Sequence, residues 1–182
     1  MIRQPSSPGI SGRYSTIAII FHWLLAVVIP GMLGLGWYMV SIEETSEAPW
    51  YFNLHKSIGI VIAATVLLRL MWRMSHRTPP LPTHVPRWQA SASKASHLLL
   101  YGCLLAMPAF GLGGALFNED GLSFFGLRLT SFLLPNKAIS EVLFSVHSVI
   151  AWILVGLITL HVLAALKHLL IEKDGVFQRM WF

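Results

Sequence analysis

The chain has 182 residues, of which 55% are hydrophobic and 12% charged, and a formal net charge of +5. A soluble domain carries about 25% charged residues, so an ordinary soluble fold is excluded. The lysines and arginines gather in connections between apolar runs, the pattern of a membrane topology signal, so no nucleic-acid partner is expected.

Four stretches, 17–40, 54–72, 96–117 and 143–170, reach roughly the 20 residues that cross about 30 Å of hydrocarbon. The expected fold is all-α: an integral membrane four-helix bundle, with residues 1–182 forming one domain. The first stretch contains His22, Gly31, Gly34 and Gly36. Its apolar run exceeds the roughly 7–15 residues of a signal-peptide core, so it is expected to stay in the mature protein. A short acidic connection follows, with Glu43, Glu44 and Glu47 and no base. The second stretch begins beside Trp50, Tyr51 and Phe52, a set that suits a membrane interface, and opens with His55 and Lys56.

The next connection, RTPPLPTHVPRWQASAS, is rich in proline and small polar residues and reads as an extended linker. His76 and His84 belong to it or border it, and read as solvated loop histidines. The third stretch is entered at His97 and holds Cys103, Gly111, Gly113 and Gly114. A lone cysteine forms no intramolecular disulfide and says nothing of redox compartment. The segment GLSFFGLRLTSFLLP is too short to span, and an interfacial helix is expected there. The fourth stretch carries His147 and His161, with His168 near its end.

Orientation follows from the bases. Arg3 and Arg13 lie in the N-terminal tail. Arg73, Arg77, Arg87 and Lys94 lie in and around the middle connection, with Arg69 just inside a helix end. Lys167, Lys173 and Arg179 close the chain, and the other two connections hold only Arg128 and Lys137. Both termini are therefore expected in the cytoplasm.

His147 and His161 are fourteen positions apart. On a helix that turns about 1400°, so both project within about 40° of one face. They are separated by roughly 21 Å along the axis. An imidazole in a bilayer is costly without a partner and is a functional candidate by default. Two on one face at that distance suit two haems stacked across the membrane, each iron taking a second imidazole from another helix. At the periplasmic level His55 is the partner of His147. At the cytoplasmic level His161 faces either His22 or His97. His22 lies about 10 Å inside its stretch, and helix tilt can match it to His161. His97 opens its stretch and reads as shallower, which favours His22. Zinc commonly recruits thiolate or carboxylate as well, and none accompanies the histidines within the stretches. The glycines of the first and third stretches allow close approach of a macrocycle or of helices. Histidines that only pack, bind another metal or conduct protons are the competing reading.

The segments IFHWLLAV, NLHKSIGI, HLLLY and VHSVIAWILVGLITLHVLAALKH resemble the bacterial cytochrome b561 family over essentially the whole chain. The resemblance implies two haem b groups with iron ligands at His22, His55, His147 and His161. It implies electron transfer between a periplasmic donor and ubiquinone in a multi-pass protein of the bacterial inner membrane, in contact with the lipid bilayer. One relative is described as a superoxide oxidase, which makes superoxide a candidate donor and a periplasmic redox protein the alternative. His168 lies about 20° from the face of His161 and roughly 10 Å nearer the cytoplasm, a position for a quinone headgroup. Arg13, Arg69, Arg73 and Lys56 are candidate partners of haem propionates. Lys56 is also the catalytic candidate: with Arg128 and Lys137 it offers superoxide a positive approach past the repelling acidic rim.

Overall fold

The computed structural model describes residues 12–80, 82, 85–129 and 134–182. Arg3, His84 and part of the third connection lie outside the described residues. Among those described, four helices are long and apolar enough to cross a membrane: α1 (Thr16–Ser41), α2 (Ala48–Ser75), α3 (Arg87–Phe117) and α4 (Lys137–Lys167). A π-helical turn over His168–Glu172 prolongs α4, and a 3-10 turn covers Phe177–Met180.

Local chemistry sets the ends of these helices. Ser15 caps α1 by accepting from the Ala18 amide, and Asn136 caps α4 by accepting from Ile139. Proline stands in the first turn of α2, where its missing N–H costs nothing. Pro30 in α1 and Pro108 in α3 interrupt the ladder, which neighbouring helices allow in a membrane.

Three helices start well before the expected stretches: α2 six residues early, α3 nine and α4 six. The expected bounds followed hydropathy, whereas backbone hydrogen bonding continues through polar residues into the headgroup zone. At 31 residues, α3 is about 46 Å long, enough for the hydrocarbon and both interfaces. Ser91, Ser93 and Lys94 are therefore helical, and His97 sits ten residues inside α3.

The third connection departs from expectation in kind. Its described part is an antiparallel hairpin, β1 (Leu122–Phe124) and β2 (Leu127–Leu129), with Phe124 opposite Leu127. Phe125 and Gly126 both have positive φ, 45° and 86°, which is the backbone of a two-residue hairpin turn. Two anchors hold it on α2: the Phe125 amide donates to Ser57 Oγ at 2.8 Å, and Ser123 Oγ to Asn53 Oδ1 at 2.6 Å.

Helix α4 packs most closely on α3, while α2 packs on both α1 and α3. Across from α1 and α2, α4 is met by rings, such as Trp37 on Trp152 at 5.0 Å. Few side chains are buried, and large apolar ones such as Val27, Met71 and Leu160 are exposed. A helix apolar all round, on a chain this poor in charge, faces lipid. At the end opposite the hairpin, Arg179 ties the chain ends to the middle connection. It donates to the Gly12 carbonyl at 2.6 Å and the Pro80 carbonyl at 2.8 Å, while its own carbonyl accepts from Tyr14.

Candidate haem sites

Two groups of histidines form within the bundle. Near the hairpin end, His55 of α2 and His147 of α4 have ring centres 6.2 Å apart. Toward the Arg179 end, His161 of α4 lies 6.1 Å from His22 of α1 and 5.7 Å from His97 of α3. A metal–nitrogen bond of about 2.0 Å, plus about 1.1 Å to each ring centre, would put two imidazoles that share one metal about 6.2 Å apart. Both α4 pairs have the spacing that such ligation requires.

The hairpin-end pair fits in further ways. His147 Nδ1 is 2.8 Å from the Met107 carbonyl, which places the ring proton on Nδ1 and leaves the Nε2 lone pair for a metal. His55 Nδ1 is buried with no hydrogen-bond partner, a cost that a protein alone rarely bears. Glycine makes the room. A Cβ on Gly111 would fall 2.8 Å from His147 Nδ1, and one on Gly36 would lie 3.3 Å from His55 Cε1. The remaining glycines sort differently: Gly113 and Gly114 admit Leu143 and Phe144 of α4, a packing role, while Gly31 and Gly34 face open space.

At the other site, depth does not separate His22 from His97. The longer α3 brings His97 level with His161, and its Nδ1 is 2.7 Å from the Ser93 carbonyl. Arg69 closes the site from α2. Its guanidinium donates to Tyr101 Oη at 3.1 Å and the Ala18 carbonyl at 3.2 Å, and sets Nη2 3.3 Å from His22 Nδ1. Trp23 packs on the His22 ring at 5.5 Å and donates to the Met180 carbonyl at 2.7 Å.

His168 stands apart from these rings, on the π turn. Its Nδ1 lies 2.7 Å from Glu172 Oε2 and 2.6 Å from Asp174 Oδ2. The other carboxylate oxygens are also taken: Glu172 Oε1 accepts from Lys167 and from Gln89 of α3, and Asp174 Oδ1 from the Val176 amide. Burial pushes the Asp174 carboxyl up, but the Val176 amide and His168 outweigh it and hold the group below the usual carboxylate range. The two carboxylate oxygens share the single proton that Nδ1 can carry. Reading the histidines alone missed these carboxylates, although the spacing His-x3-Glu-x-Asp was there to find.

Of the remaining candidates, Lys56 donates to the Gly121 carbonyl at 3.0 Å, beside the hairpin. Arg13 and Arg73 line a cavity with Arg69 at the Arg179 end. His76 stacks on Trp72 with ring centres 3.8 Å apart and joins no histidine group.

The sequence model described as prokaryotic cytochrome b561 matches residues 13–182. The chain is 36% identical to cytochrome b561 homolog 2 of Escherichia coli (strain K12), over 92% of this chain and 90% of that protein. It is 28% identical to cytochrome b561 homolog 1 of the same organism, over 92% and 96%. It is 25% identical to the probable superoxide oxidase CybB of Yersinia pestis, over 92% and 95%.

Proposed function

We propose a two-haem electron path for this chain, which belongs to the prokaryotic cytochrome b561 family and is therefore a membrane electron-transfer protein that holds haem b. The whole chain acts as a single transmembrane cytochrome b domain of the bacterial inner membrane, with both termini cytoplasmic. The observation that carries the reading is the pair of ring spacings, 6.2 Å and 6.1 Å, set at two depths by one helix.

His55 and His147 hold the periplasmic group, and His22 and His161 the cytoplasmic one. His22 is preferred to His97 because 6.1 Å admits a metal between the rings more readily than 5.7 Å. The family resemblance also points to His22. A guanidinium only donates, so His22 Nδ1 accepts in its present contact with Arg69. To hold haem through Nε2, His22 would carry its ring proton on Nδ1, and Arg69 would then be free to pair with a carboxylate of the haem. Arg13 and Arg73 line the cavity next to this site.

Haem held by two such histidines would supply outer-sphere electron transfer rather than oxygen binding. The overall reaction is oxidation of a periplasmic donor and reduction of ubiquinone. Superoxide is the proposed donor, since a relative similar over nearly its full length carries the name probable superoxide oxidase. Lys56, Arg128 and Lys137 give the anion a local positive approach past Glu43, Glu44 and Glu47. On the cytoplasmic side, Glu172 and Asp174 occupy Nδ1 of His168, so Nε2 is the nitrogen left to meet a quinone carbonyl.

Stopped-flow mixing of the haem-loaded protein with superoxide tests the donor. Superoxide is expected to reduce the haem within the mixing experiment, and added ubiquinone to reoxidise it. Haem that stays oxidised under superoxide overturns this donor and leaves a periplasmic redox protein in its place.

A further inference from the structure

Between the start of α1 and the end of α2 lies a cavity of about 190 Å³, lined by Arg13, Arg69, Arg73, Arg77, Ser15 and Tyr101 among others. Among the described residues that line it, none is an aspartate or glutamate. Part of this basic capacity is already committed. Arg69 turns inward to His22 and Tyr101, Arg13 donates to the Trp181 carbonyl, and the Arg73 guanidinium lies 5.5 Å over the Tyr101 ring. Each guanidinium carries five N–H donors, so most of them remain available to an occupant.

Depth says what that occupant is. Ser15 caps α1 and α2 ends at Ser75, so the cavity sits at the helix ends, at headgroup level. Trp72 donates from Nε1 to Ser15 Oγ at 3.1 Å, an interfacial tryptophan bridging the two helices. Over its last turns α2 also exposes Leu67, Leu68, Met71 and Met74, an apolar flank for acyl chains. A water takes about 30 Å³ of liquid volume, so the cavity offers room for about six, ample for one phosphodiester. Basic pockets between membrane helices bind anionic headgroups in this way, and arginine forks match phosphate oxygens two at a time.

We propose that this cavity holds the phosphate of an anionic phospholipid, gripped by Arg13, Arg73 and Arg77, while Arg69 stays with the His22 site. The lipid then pins the start of α1 to the end of α2 beside the histidines.

Native mass spectrometry of the haem-loaded protein tests this with phosphatidylglycerol and phosphatidylcholine of identical chains. One phosphatidylglycerol per chain is expected to survive detergent removal, and phosphatidylcholine not. Arg77→Gln should weaken that adduct about tenfold or more with haem content and spectrum unchanged, and Arg77→Lys less, since it keeps charge but loses the fork. Millimolar inorganic phosphate should compete only weakly, because it lacks the acyl contacts. Equal retention of the two lipids overturns the proposal, as does an undiminished adduct in the Arg13→Gln, Arg77→Gln double variant. Loss of haem in Arg77→Gln with lipid retained overturns it too, since the cavity then serves propionates.

Discussion

At the scale of single residues, the least forgiving contact is between glycine and histidine. The Cβ of Gly111→Ala would fall 2.8 Å from Nδ1 and 2.9 Å from Cε1 of His147. The ring has to move, losing its bond to the Met107 carbonyl. Overpacking of this kind costs about 1–3 kcal/mol. Gly111→Ala is expected to lose the haem proposed between His55 and His147, as His147→Ala does, leaving about half the haem per chain by absorption spectroscopy. Full haem content in both variants would remove His147 from the ligand set. The cytoplasmic ligand is decided by a comparison: His22→Ala should lose that haem, and His97→Ala should keep both. The reverse result would assign the ligand to α3. That His55 would meet His147, and His22 meet His161, was legible because imidazoles are rare and costly in apolar helices and their spacing is arithmetic. The rival claim of His97 was not, because its depth depends on where α3 starts, and hydropathy placed that start nine residues late.

Among the elements, the membrane helices could be read from sequence and the connections could not. Hydropathy reports the hydrocarbon core, whereas α2, α3 and α4 extend past it, held by backbone hydrogen bonds that polar residues make equally well. The hairpin was concealed by its apolar composition. Leu122, Phe124, Leu127 and Leu129 suit an interfacial helix as readily as a strand, and the deciding signal was the turn at Phe125-Gly126. The π turn is the other unforeseen element. It sets His168 beside Glu172 and Asp174 at the end of α4, clear of the paired histidine rings. His168→Ala is expected to leave haem content and spectra intact while slowing haem reoxidation by ubiquinone about a hundredfold, the low end for a lost acid–base group. Reoxidation at the wild-type rate would place the quinone elsewhere.

For the whole molecule, lipid takes the place of a conventional core. The outer faces are apolar and exposed, backbone packing is close between α3 and α4, and the space between α4 and its other neighbours is bridged by paired rings. At each ring pair a flat haem group, as proposed above, would satisfy imidazoles that hydrocarbon cannot. The central claim is that both ring pairs hold haem, and counting the haem tests it most directly. Protein purified from the membrane and assayed as its pyridine haemochrome should contain two haem b per chain, with two components in the reduced-minus-oxidised spectrum. A single haem per chain, lost on substitution of only one of the two pairs, would contradict it.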